Sequence, residues 1–82
     1  MTTDTENAIV WTGDLDDDCT AHWAGFLLRA EWMDGDDWWW TVSEIATGSE
    51  VASSNNEERS CTSGADARKF AENAARTYRK RR

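Results

Sequence analysis

The chain has 82 residues, 30% of them charged, with a net charge of −7 and no proline; that length holds one domain, with a core near the lower limit for a chain lacking a metal or disulfide. The charge is sorted: residues 1–67 carry fifteen of the sixteen acids and only Arg29 and Arg59 as bases, whereas residues 68–82 carry the other seven bases and one acid, Glu72. An acidic body repels nucleic-acid phosphates and anionic lipid, and no run of about 18 apolar residues is present to span a bilayer.

Residues 1–7 are polar and acidic, with neither a secretory signal nor a transit peptide; they read as a frayed tail, and the expected compartment is the cytoplasm. Residues 8–82 read as a single α+β domain. Residues 8–12 are β-branched and aromatic and predict a short strand that ends at Gly13. A carboxylate-rich turn, Asp14 to Asp18, follows. Residues 20–33 form the longest apolar-rich stretch, interrupted at Gly25, where a bulge is expected. Asp34-Gly35 is a tight-hairpin dipeptide, and residues 37–46 beyond it predict a strand carrying Trp38, Trp39 and Trp40. Phe26, Leu28, Ala30 and Trp32 share one side of the first of these strands, and Trp38, Trp40 and Val42 share one side of the second. An odd-length loop, Met33-Asp34-Gly35, lets those sides coincide and sets Ala30 opposite Trp38, Leu28 opposite Trp40 and Phe26 opposite Val42. Thr47-Gly48 then turns the chain into residues 49–54, a weaker edge strand.

The last element is a helix over residues 64–80. Ser63 and Asp66 form its capping box, with Asp in the usual Glu place. Ala67, Phe70, Ala71, Ala74, Thr77 and Tyr78 recur at helical spacing, and small alanines let such a helix lie close on a sheet. The predicted fold is therefore α+β: a small antiparallel sheet of three to four strands with one C-terminal helix packed on one face, in the order ββββα. Six tryptophans, each able to bury about 200 Å², make a core of this size adequate. Leu27, Met33, Trp39 and Ile45 then point away from the helix. A contiguous patch of Leu27, Trp39 and Ile45 would mark a contact site; alternatively, Trp39 packs on Thr41 or Arg29.

Candidate chemistry is sparse. Asp14, Asp16 and Asp18 occupy the first, third and fifth places of a calcium loop, but Cys19 stands where that loop needs Gly and Gly25 where it needs a bidentate Glu. Cys19 and His22 supply half of a zinc site, with Cys61 as a third soft ligand and no second close pair. No metal and no cofactor is expected, and two cysteines in such a chain read as free thiols. No nucleophile elbow and no phosphate-cradling glycine loop occurs. The expectation is a non-catalytic protein-binding module, an inhibitor of nucleic-acid-binding proteins being one form of it. Its Asp14, Asp16, Asp17, Asp18, Asp34, Asp36, Asp37 and Trp39 would engage the basic surface of a partner, spaced carboxylates imitating a phosphate backbone. One alternative is nucleic-acid binding through Arg68, Lys69, Arg76, Arg79, Lys80, Arg81 and Arg82, which the acidic body opposes. Another is a homodimeric subunit joined through the open sheet face or the edge strand.

Overall fold

Five strands run in chain order in the computed structural model: β1 (Thr12–Asp14), β2 (Asp18–Trp23), β3 (Phe26–Asp34), β4 (Asp37–Glu44) and β5 (Glu50–Ser53). A single helix, α1 (Gly64–Arg81), follows them. The structure describes residues 9–54 and 61–81, the side chain of Arg81 excepted. The expected tail over residues 1–7, the start of the first expected strand at Ala8, and Arg82 lie outside the described residues. The strands form one antiparallel meander in the order β1-β2-β3-β4-β5, and α1 packs on β3 and β4 with a smaller contact to β5. The fold is α+β as expected, with five strands instead of three to four.

The extra strand arises at Ala24-Gly25. The stretch read as one strand over residues 20–33 is a hairpin in which Trp23 pairs with Phe26 and Ala24 and Gly25 are the two turn residues. Both have positive φ, 53° and 84°, the backbone that a two-residue type I′ turn demands. The expected bulge at Gly25 is therefore a full reversal. The first strand is also displaced, beginning at Thr12 instead of ending there. The Asp14–Asp18 turn sets its register, with Asp14 opposite Asp18. Ile9 and Trp11, ahead of it, pack against the core instead, and the Trp11 indole N–H donates to a Glu72 carboxylate oxygen at 2.8 Å.

Between β3 and β4, Leu28 faces Val42, Ala30 faces Trp40 and Trp32 faces Trp38. The expected partners were two residues away. The difference comes from an irregularity between Trp32 and Asp34 that leaves Met33 without a partner, while Asp34 pairs with Asp37 across a tight Gly35-Asp36 turn. One bulged residue changes the parity as an odd loop does, so the expected faces hold.

Phe26, Leu28, Ala30 and Val42 are fully enclosed, and Cys19, Ala21, Trp23 and Trp40 are nearly so. Ala67, Ala71 and Ala75 of α1 close over them with no exposed surface. Burying each large apolar side chain contributes about 1.5–3 kcal/mol, and the three alanines bring the helix backbone down onto those rings and branches. Ala75 takes a buried place expected for Thr77, which is exposed. At 100° per residue Thr77 lies roughly 120° around the helix from Ala71. Phe70 and Tyr78 flank the alanine line half-buried, and the Tyr78 ring meets Phe26 edge-on at 5.6 Å. Ser63 Oγ accepts the Asp66 backbone N–H at 3.1 Å, which caps the helix start. Among the described residues no helix is long and apolar enough to cross a membrane.

Candidate functional site

The meander places the β1–β2 turn and the β3–β4 turn at the same end of the sheet. The β2–β3 ladder runs on into the first of them, the Trp32 backbone N–H donating to the Asp17 carbonyl at 2.6 Å, two residues ahead of the β3–β4 turn. The helix start docks at that end too. A Cβ at Gly64 would stand 2.9 Å from the Trp38 indole and 3.0 Å from the Leu15 carbonyl, so this close approach requires glycine. Arg68 fastens the junction, its Nη1 donating to the Leu15 carbonyl at 2.9 Å.

Seven of the expected partner-binding residues are thereby gathered: Asp14, Asp16, Asp17, Asp18, Asp34, Asp36 and Asp37. Two of them shape the backbone. Asp14 Oδ1 accepts the Asp16 backbone N–H at 2.9 Å, and Asp18 accepts two bonds from Arg29, at 3.1 and 3.0 Å. That fork holds the Asp18 carboxyl below its ordinary pKa, against an opposing effect of burial, and holds the Arg29 guanidinium above its own. Asp16, Asp17, Asp34, Asp36 and Asp37 are exposed. Among the described residues no three His, Cys, Asp or Glu side chains are grouped to hold a metal ion.

Trp39, the eighth expected residue, is elsewhere. It lies half-buried on the sheet face away from the helix, with the Arg29 guanidinium 6.0 Å from its ring centroid. The register puts Trp39 opposite Glu31 and Leu27 opposite Ser43, with the Arg29–Thr41 pair between them. Leu27 and Trp39 therefore do not form the contiguous patch expected with Ile45. Ile45 is 52% exposed at the other end of the sheet, beside Gly25, and Val10 is 70% exposed ahead of β1; at the acidic end Leu15, Trp32 and Met33 are 46%, 42% and 56% exposed. Trp32 was expected beneath the helix, yet α1 begins short of it, and its indole N–H donates to the Gly35 carbonyl at 2.8 Å. The strand pattern gives the side on which Trp32 points but carries no signal for where along that side the helix starts.

The basic residues divide. Arg68 is engaged at the acidic end, whereas Arg76 and Arg79 lie over the Trp23 ring near the other end of the helix, at 5.7 and 5.3 Å from its centroid. Cys19 and Cys61 are free, buried thiols. Burial pushes both pKa values up, at Cys19 against the lowering effect of Arg68. His22 is exposed. Comparison with protein-family models, curated proteins and solved structures returns no match.

Proposed function

We propose that this protein is a non-catalytic binding module whose acidic end engages a basic surface on another protein, in the manner of a phosphate backbone. The observation that carries this reading is that the meander brings two carboxylate-rich turns, β1–β2 and β3–β4, to one end of the sheet. Exposed Leu15, Trp32 and Met33 stand among those carboxylates. Charge steers the encounter and apolar anchors slow the release, so a surface carrying both suits a protein partner. A nucleic-acid-binding channel is the fitting partner surface, since it already accommodates spaced negative charges. Nucleic-acid binding by the chain itself is less supported, because Arg68 is held away from Arg76, Arg79 and Lys80.

The reading is tested with the tagged chain in a nuclease-treated lysate. A basic protein should be retained, released by salt and displaced by duplex DNA. The quadruple substitution Asp16→Asn, Asp17→Asn, Asp36→Asn and Asp37→Asn should weaken its capture at least tenfold while melting is unchanged. Unaltered capture by that variant would refute the acidic-end assignment. Asp14 and Asp18 are kept in this variant because they shape the turn and the ion pair.

A further inference from the structure

The end of the molecule opposite the carboxylates carries a second, chemically distinct feature. Trp23, Arg76, Arg79 and Lys80 line a surface cleft of about 500 Å³, within the range of small-molecule sites. Trp23 is buried to 7% exposure and forms an apolar wall. Arg76 and Arg79, one turn apart, hold their guanidinium groups 5.7 and 5.3 Å from that ring. Arg79 and Lys80 form no ion pair with a carboxylate among the described residues. Glu72 accepts from the Trp11 indole at 2.8 Å and pairs with Arg76 at 3.5 Å, so Arg79 and Lys80 carry the charge of the cleft.

We infer that this cleft binds the phosphate group of a small molecule. Guanidinium forks match phosphate oxygens in pairs, and stacking on an indole holds such forks in place before the ligand arrives. The adjacent Lys80 supplies a further mobile charge. A small anion is favoured over a nucleic acid by distance. Arg76 to Lys80 lie 12 to 16 residues along the helix from Gly64, which abuts the acidic turns, a separation of about 18–24 Å, or roughly two to three screening lengths at physiological salt. A compact anion at the basic end is shielded from the carboxylates, whereas an extended polyanion would run toward them. This inference is independent of the protein-binding reading, which concerns the opposite end.

The test is a titration of the full chain with inorganic pyrophosphate, followed by calorimetry and by the indole N–H resonances. Saturable one-to-one binding that moves the Trp23 resonance is expected. The pair Arg79→Gln and Lys80→Gln should weaken it at least tenfold with melting unchanged, and Lys69→Gln should leave it within twofold. Absence of saturation up to 10 mM pyrophosphate would overturn the inference. Equal affinity in the Arg79→Gln, Lys80→Gln chain would do so as well, as would a single-stranded oligonucleotide that binds this cleft more tightly than pyrophosphate.

Discussion

Ala24 shows how a single residue can be at odds with the backbone around it. It is the one non-glycine residue with positive φ among the described residues, at 53°, a conformation that costs an L-residue with a Cβ about 1 kcal/mol or more. Ala24→Gly should therefore leave the hairpin in place and raise stability by up to about 1 kcal/mol, with Ala24→Asn acting in the same direction. Urea unfolding checks this, and a loss of stability would mean that the turn needs the alanine methyl for packing. Asp18 gives a pH-dependent counterpart. Its folded pKa lies below the ordinary 3.8, so the contribution of the Arg29 pair is complete above that value and fades as pH falls through the folded one. Both partners are about two-fifths exposed, at 41% and 42%, which keeps the contribution under about 1 kcal/mol. Asp18→Asn should lower stability by that amount at neutral pH and be indistinguishable from the parent chain near pH 2. A penalty that persists in acid would place the effect in packing and not in charge.

At the level of elements, the helix was legible because several signals agreed. The Ser63 cap and the alanine spacing both point to α1, and its observed start at Gly64 matches. The sheet was only partly legible. Alternation reports faces, so Phe26, Leu28, Trp40 and Val42 were placed on the covered side, but it does not report partners. A bulge at Met33 and a three-residue loop have the same parity and differ by two in register. Gly25 reads as a bulge and not as a reversal because apolar residues continue on both sides of it and because Ala is a poor turn former. The docking surface of α1 leads to a further prediction. Ala71 has no exposed surface, so Ala71→Leu should cost about 1–3 kcal/mol by overpacking. Phe70 is half-buried, which puts Phe70→Ala near or below the bottom of the roughly 3–5 kcal/mol usual for an enclosed ring. If thermal unfolding showed Ala71→Leu to be neutral, the helix would not lie as close to the sheet as described.

Across the whole molecule, the charge sorted along the chain is partly sorted in space, with Arg68 at the acidic end and Glu72 paired with Arg76 near the basic one. The molecule measures 40 × 23 × 20 Å, with the carboxylate turns and the Arg76, Arg79 and Lys80 group at opposite ends of α1. The segregation of charge was evident in the sequence. The placing of the two acidic turns at one end was not, since it depends on a hairpin at residues 24–25 that returns β3 to the side of β2. A partner approaching the acidic end should associate at a rate that falls at least tenfold between about 0.05 and 0.5 M salt, with a much smaller change in dissociation rate. Stopped-flow mixing measures both, and a salt-insensitive association rate would remove steering from the account.

The placement of the helix after all five strands has a consequence for how the chain is made. During synthesis the sheet is complete before its cover is. Phe26, Leu28 and Val42 must wait for Ala67, Ala71 and Ala75 to emerge. Without them the sheet presents an apolar face, for which chaperones and neighbouring chains compete. A chain cut short before residue 64 should therefore collect in the insoluble fraction, since it carries the apolar face without its cover.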